Sequence, residues 1–206
     1  MTKNNSLKML NLILLAAGQG TRMGGPNKLL LPFRGSTVLE HTLGQLLAAG
    51  IGPVIVVTGH QREAVLPHLA ACPVREVFNP DYLTGMTSSI QAGVRAAEGL
   101  GYMICLSDMP MISATAYKLL SDNFLEHLRT DEQAIVMPRF GSAKGNPVIF
   151  SAAYREEILR HPEPEGCRGI VQANAAHLRW ADVPDEGVLQ DVDTPEDYRA
   201  VASDER

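Results

Sequence analysis

Leu10-Asn11-Leu12-Ile13-Leu14-Leu15-Ala16-Ala17-Gly18-Gln19-Gly20-Thr21-Arg22-Met23-Gly24-Gly25-Pro26-Asn27-Lys28 decides how the rest of the chain is read. The apolar run ends abruptly at Gly18 and Gly20, and Arg22 and Lys28 follow in the same loop. Glycines let backbone N–H groups approach a phosphate closely, and two cations neutralise its charge. A buried strand emptying into such a loop has the chemistry of a triphosphate cradle. Two better-known glycine patterns do not fit. A dinucleotide fingerprint needs its third glycine three residues after Gly20, whereas Gly24 comes one residue late and Pro26 interrupts the helix that should follow. The P-loop pattern fails as well, because no Gly-Lys-Ser/Thr closes the loop. Read without further context, the same residues also suit an ordinary strand-to-helix turn with solvated cations.

Outward from this loop, short apolar runs alternate with helical patterns. Residues 10–17, 53–58, 74–78, 102–107 and 134–138 are bounded by Gly, Pro, Asn or Asp and read as buried strands. Residues 37–49, 61–70, 87–98 and 113–128 read as helices; Leu39, Leu43, Leu46 and Leu47 share one face of the first, and Gly50 stands at its C-terminal cap. Residues 147–151 and 178–183 add strands, and 152–160 and 168–176 add short helices. Strand alternating with helix predicts an α/β fold: a single three-layer domain, spanning 1–206 with an ordered core of about 7–202, whose mainly parallel sheet is flanked by helices. His161-Pro-Glu-Pro-Glu-Gly166 is expected to be the most mobile loop.

Composition narrows the function. A net charge of −5 leaves no overall positive field for nucleic acid or an anionic membrane, so an anionic substrate must be held by local cations and backbone dipoles. The 3 cysteines, Cys72, Cys105 and Cys167, are odd in number and far apart, which argues against a disulfide framework or a zinc site and for the cytoplasm. The apolar run after Lys3 and Lys8 has the look of a signal peptide, but cleavage near Ala17 would destroy the glycine loop, and the run is shorter than the ~20 residues that cross a bilayer.

Acidic residues stand where strands end. Asp108 closes the strand 102–107, and in open parallel sheets ligands bind at the carboxyl ends of strands; a turn aspartate before Met109-Pro110 is the plainer alternative. In Asp191-Val-Asp193-Thr-Pro-Glu-Asp197, a capping box accounts for Thr194 and Asp197, and Pro195 fits the first helical position. Asp191 and Asp193 are left without a structural task. Gly85-Met-Thr-Ser88-Ser89 opens a helix, which suits either an anion site or a plain N-cap. No nucleophile–His–acid arrangement occurs, and Cys105 lies in a buried strand.

The loop Leu15-Ala-Ala-Gly-Gln-Gly-Thr-Arg-Met-Gly24, continued by Asn27-Lys-Leu-Leu-Leu-Pro32, resembles the signature of the MobA-like nucleotidyltransferases, and the likeness extends from about Leu10 to Tyr198. The resemblance implies a Rossmann-like nucleotidyltransferase fold. It implies nucleotide binding by Leu15, Ala16, Ala17, Gly18, Gly20, Arg22 and Lys28, with Asn79 and Ser88 facing base and ribose. Leu106-Ser-Asp-Met-Pro110 is similar to the family's metal-binding motif, so Asp108 and Asp193 would hold Mg²⁺, with Asp191 the substitute for Asp193. Arg22, Lys28 and Asp108 would carry the catalysis. Asn146, in Gly145-Asn-Pro147, and Arg168 would border the acceptor, although the aspartate that relatives carry upstream of Arg168 is missing and Pro164 stands in its place. Asn27 before Lys28 resembles the cytidylyltransferase branch. The implied reaction transfers CMP from CTP to the phosphate of molybdenum-bound molybdopterin and releases pyrophosphate, and a xanthine dehydrogenase-type molybdoenzyme would be the downstream partner. Three alternatives stay open: a guanylyl or sugar-phosphate nucleotidyltransferase, an NAD(P)-binding oxidoreductase with Glu40 on the ribose, and a nucleotide sensor without turnover.

Overall fold

In the computed structural model, which describes residues 9–20, 23–24 and 27–202, every residue of strand β1 (Leu10–Ala16) is buried. A strand can be apolar on both faces only where both are covered. Its side chains divide with period two: Leu10, Leu12, Leu14 and Ala16 enter one core, and Ile13 and Leu15 enter the other. On the first side lie α1 (Val38–Ala49) and, later in the chain, α2 (Arg62–Leu69) and α4 (Ala114–Leu128), contributing among others Leu43, Val65 and Phe124. The second side carries α3 (Met86–Ala96), α5 (Arg155–Arg160) and α6 (Arg168–Ala173), through Ile90, Val94, Ile158 and Ile170. The chain is thus one α/β domain of three layers.

The sheet has eight strands. After the small antiparallel hairpin of β2 (Pro32–Phe33) and β3 (Ser36–Thr37), which stands apart, come β4 (Val54–Thr58), β5 (Arg75–Phe78), β6 (Gly101–Leu106), β7 (Ile135–Phe140), β8 (Ala143–Lys144), β9 (Val148–Ser151) and β10 (Leu178–Asp182). The order across the sheet is β10-β7-β9-β6-β1-β4-β5, with β8 folded back on β7. β6, β1, β4 and β5 run parallel, as do β7 and β10; β9 alone is antiparallel to both of its neighbours. The last helix, α7 (Pro195–Ala202), packs Val201 against Phe33, Val38 and Val192 and so fastens the end of the chain to the hairpin.

Local chemistry explains the boundaries. Thr37 and Glu40 form a reciprocal capping box at the start of α1, and Gly50 ends it in the left-handed conformation at φ 63°. Glu40 also meets His68 Nδ1 at 3.0 Å, so the carboxylate considered for a ribose contact is engaged in holding α1 to α2. Gly93 allows α3 to lie directly on the sheet: a Cβ there would stand 2.3 Å from Ile13 Cγ2. Two short pairings, β2–β3 and β7–β8, were not expected from the sequence, being too brief to leave a periodic signal. The helix expected over 168–176 ends at Ala173 and continues as a 3₁₀ turn, Ala175–His177. The segment 161–166, expected to be the most mobile, is tied to the start of α3. Thr87 Oγ1 donates to the Glu163 carbonyl and accepts from Gly166 N at 2.9 Å, while Thr87 N donates to Pro164 O at 3.3 Å.

Candidate active site

Register brings two strand ends together. Leu15 of β1 pairs with Leu106 of β6, so the glycine loop and the Ser107-Asp108 turn leave the sheet side by side. Ser107 Oγ fixes this junction by donating to Leu15 O at 2.6 Å. A further strap delivers the second acid: Val192 N donates to Asp108 O at 2.8 Å, and the fully buried Val192 side chain anchors the segment, leaving Asp191 and Asp193 on either side of it. Thr194 and Asp197 then start α7 with the reciprocal bonds expected of a capping box, Asp197 N to Thr194 Oγ1 at 3.2 Å and Thr194 N to Asp197 Oδ2 at 2.8 Å. Hydrogen bonds from Thr194 hold the Asp197 carboxyl below its usual range.

Lys28 lies at the centre. It opens a 3₁₀ turn, Lys28–Leu30, capped by Asn27 Oδ1, which accepts from Leu29 N at 3.1 Å. The buried Leu29 anchors the turn, and Lys28 Nζ reaches Asp108 Oδ2 and Asp193 Oδ1, each at 2.5 Å. Burial opposes the charge on this ammonium, but Asp108 and Asp193 outweigh it and raise its pKa above the usual lysine value. Asp191 is shifted upward as well: burial, then the charges of Asp193 and Asp108, push its carboxyl above the usual range. The buried Asp108 Oδ1 has no hydrogen-bond partner among the described residues.

Such a donor set suits a hard divalent cation: two carboxylates converge on one point, and one retains a buried, unsatisfied oxygen. Among the described residues no group of three or more His, Cys, Asp or Glu is arranged to hold a metal. A metal on Asp108 and Asp193 would therefore fill its shell with water or phosphate oxygens, as Mg²⁺ commonly does.

The surrounding cleft, of about 550 Å³, is bounded by the glycine loop, Lys28, Tyr82, Ser89, Asp108 and Asp193. Leu15, Ala17, Gly18 and Gly20 line it; Ala16 is buried under the loop on the opposite face of β1. Gly20 adopts φ +58°, and Gly59 passes so close to Ala17 and Tyr82 that a Cβ would lie under 3 Å from each. Arg22 lies outside the described residues. Asn79 and Ser88, expected against base and ribose, have internal partners. Asn79 is buried, donates to Ser88 Oγ at 2.9 Å and to Ser89 Oγ at 3.0 Å, and accepts from Asp81 N; Ser88 Oγ bonds back to Gly85 O at 2.8 Å. An Asx turn at Asn79-Pro80-Asp81 draws these side chains into the framework, so the wall here is made by Tyr82, Met86 and Ser89.

Met86 and Leu106 also border a second pocket, of about 710 Å³, on the other side. Its floor is the sheet beside α3, which contributes Met86 and Ile90: Ile104 pairs with Val148, and Met137 pairs with Trp180. Asn146 and Arg168 stand on the rim with Lys144, whose Nζ lies 5.5 Å from the Trp180 ring centroid. Asn146 is held in place by its backbone N, which donates to Val188 O at 2.9 Å. The sequence reading missed Trp180, Met137 and Lys144, because their convergence depends on β7, β9 and β10 meeting in an order that differs from chain order.

Comparison with known proteins agrees with this architecture. Residues 12–179 match the model of the MobA-like NTP transferase domain. The chain is 30% identical over 187 residues to nicotine blue oxidoreductase of Paenarthrobacter nicotinovorans, covering 89% of this chain and 92% of that one. It is 23% identical to the molybdenum cofactor cytidylyltransferase of Escherichia coli (strain K12), over 93% and 95% of the two chains. A nucleotidyl transferase from Methanothermobacter superposes with a TM-score of 0.83 at 24% identity, covering 95% of this chain and 96% of that one, and shares its fold. The manganese complex of Rv0371c from Mycobacterium tuberculosis H37Rv superposes with a TM-score of 0.77 at 26% identity, over 96% and 100% of the chains, consistent with a divalent metal in the family. This chain belongs to the MobA-like NTP transferase family and is a nucleotidyltransferase.

Proposed function

We propose that the enzyme transfers CMP from CTP to the phosphate of molybdenum-bound molybdopterin. The observation that carries this reading is the meeting of Lys28, Asp108 and Asp193 in a cleft that shares Met86 and Leu106 with a large apolar pocket. The cleft has room and charge for a nucleoside triphosphate, and the neighbouring pocket has room for a flat heterocycle that carries its phosphate toward the border.

An oxygen of the acceptor phosphate forms a bond to the α-phosphorus, and the bond from that phosphorus to the β-bridging oxygen breaks, releasing pyrophosphate. The nucleophile is already anionic, so no general base is required. Catalysis then consists of alignment and charge neutralisation. Backbone N–H groups of the Gly18–Gly20 loop and the Arg22 guanidinium hold the β- and γ-phosphates. Lys28 donates to the α-phosphate, and Asn146 and Arg168 orient the acceptor. Mg²⁺, held by Asp108 and Asp193, would supply further neutralisation at the phosphate oxygens. The reading assigns the chain to a reducing cytoplasm, where Cys72, Cys105 and Cys167 remain free thiols, and to delivery of its product to a xanthine dehydrogenase-type molybdoenzyme.

Pyrophosphate release with Mg²⁺ and molybdenum-loaded molybdopterin tests the assignment when CTP, GTP, ATP and UTP are compared. CTP-selective release that disappears in Asp108→Ala is the expected result. Release from no nucleotide by folded protein with competent acceptor would overturn it. A second reading, NAD(P)H-dependent reduction, is favoured by the name of the Paenarthrobacter relative. It requires NAD(P)H binding that is indifferent to Mg²⁺, and the engagement of Glu40 in the α1 cap and with His68 removes the acid it would use on the ribose.

A further inference from the structure

Lys28 stands where a divalent ion held by Asp108 and Asp193 would have to stand. Its Nζ is 2.5 Å from Asp108 Oδ2 and 2.5 Å from Asp193 Oδ1, and the three side chains are only 11%, 17% and 31% exposed. A Mg²⁺ ion binds carboxylate oxygens at about 2.0–2.1 Å, so an ion on these same two oxygens would overlap the ammonium nitrogen. Shared occupancy is excluded by volume and by charge. Metal entry onto these two oxygens therefore requires Lys28 to move.

The loop provides the direction. The Lys28 stem lies against Gly20, where even a Cβ would keep 3.5 Å from Lys28 Cγ, and among the described residues a Cβ on Gly18 would find nothing within 4 Å. Among the described residues, Gly18 and Gly20 line with Lys28 the cleft that a triphosphate would occupy, which gives the ammonium a side to move toward. On its other sides Lys28 is enclosed by the carboxylates and by its own buried turn.

We infer that Lys28 is an exchangeable counter-ion. Without nucleotide it neutralises Asp108 and Asp193 and keeps a divalent metal out; when a triphosphate binds, the ammonium transfers to the phosphates and the metal takes its place. Metal and nucleotide affinity are then reciprocally coupled through one side chain. The inference rests on the proposed use of a nucleoside triphosphate, but on neither the choice of base nor the identity of the acceptor.

Mn²⁺ binding to the full chain, followed by the electron paramagnetic resonance signal of the free ion, gives a readout independent of turnover. Without nucleotide, Lys28→Gln is expected to bind Mn²⁺ more tightly than wild type by a factor in the range of about 5–150 typical of site coupling. Lys28→Arg, which keeps the charge, is expected to remain weak. Adding Asp108→Asn to Lys28→Gln is expected to abolish the gain. A non-hydrolysable CTP analogue is expected to tighten Mn²⁺ binding to wild type more than to Lys28→Gln. Thermal melting supplies a second readout: loss of Lys28 removes the cation shared by Asp108 and Asp193, so Lys28→Gln is expected to melt lower than wild type and to regain more of its Tm on adding Mn²⁺. Equal or weaker Mn²⁺ binding by nucleotide-free, folded Lys28→Gln would overturn the inference. So would strong Mn²⁺ binding to nucleotide-free wild type that the analogue does not change. Failure of CTP selectivity in the pyrophosphate assay would instead bear on the base and acceptor assignment.

Discussion

The two halves of the molecule that meet at Met86 and Leu106 are built from different materials. On one side, the ends of β1 and β6 present a glycine loop, a lysine and two aspartates, and the cleft is held by charge. On the other, β9, β7 and β10 extend the sheet and leave a larger cavity, walled in part by Met86 and Ile90 of α3 and floored by Ile104, Val148, Met137 and Trp180. Parallel neighbours make the first half, and a reversed strand makes the second. A polar site needs few atoms at fixed positions, whereas an apolar pocket needs an area of sheet left uncovered.

Removing charge from the first half should give the largest effect. Asp108→Ala is expected to lower kcat by about 10²–10³-fold, the usual cost of losing one group that stabilises transition-state charge; rapid-quench or steady-state kinetics would measure it. If the halves are separable, acceptor binding should survive in this variant. Gly93→Ala tests what the halves share, since its Cβ would press on Ile13 beneath α3. Overpacking of this kind typically costs about 1–3 kcal/mol, partly offset by the roughly 1 kcal/mol that alanine gains over glycine in a helix. A lower midpoint in urea, with KM raised for both substrates, is the expected outcome.

Trp180→Ala isolates the second half. Stacking of a flat ring on an aromatic side chain is worth about 1–3 kcal/mol, so the KM for the acceptor should rise by roughly 5- to 150-fold while that for CTP stays unchanged. Because the chain contains a single tryptophan, fluorescence quenching in the wild type reports acceptor binding at this pocket without interference. Quenching by nucleotide alone would blur the proposed division between the halves.

The smallest effect concerns the frame beside the first half. Glu76 on β5 accepts from Arg62 Nε at 2.8 Å and from Thr58 Oγ1 at 2.5 Å, and the hydrogen bond from Arg62, with that from Thr58, lowers its pKa. A carboxyl with a folded pKa below its unfolded value contributes stability above the unfolded value, and that contribution is lost as pH falls through the folded one. Glu76→Gln should therefore lower Tm near neutral pH, and its difference from wild type should shrink on acidification through that window.

The strands and main helices were legible because burial on two faces leaves continuous apolar runs, and one-sided burial leaves a 3.6-residue period. Gly50 and the Thr194–Asp197 pair were equally readable, being local chemistry that caps a helix with its own neighbours. Proximity between distant residues was not readable from such patterns. The resemblance, rather than any periodicity, nominated Asp108 and Asp193 together, and only the strap through Val192 explains how they meet. Asn79 looked like a ligand for the same reason, yet its amide is occupied by Ser88 and Ser89. Trp180 and Lys144 left no signal at all, since a reversed strand had to be placed before their pocket existed. The acidic Pro-rich segment 161–166 looked loose by composition but is pinned by Thr87.

Following the α-phosphate tests the division of labour most directly. With CTP labelled at the α-phosphorus, Mg²⁺ and molybdenum-loaded molybdopterin, label is expected to pass to the acceptor at the rate at which pyrophosphate appears, and to do so about 10²–10³-fold more slowly in Asp108→Ala than in wild type. Label that stays in CTP, or emerges as free CMP with the acceptor unchanged, would contradict the account.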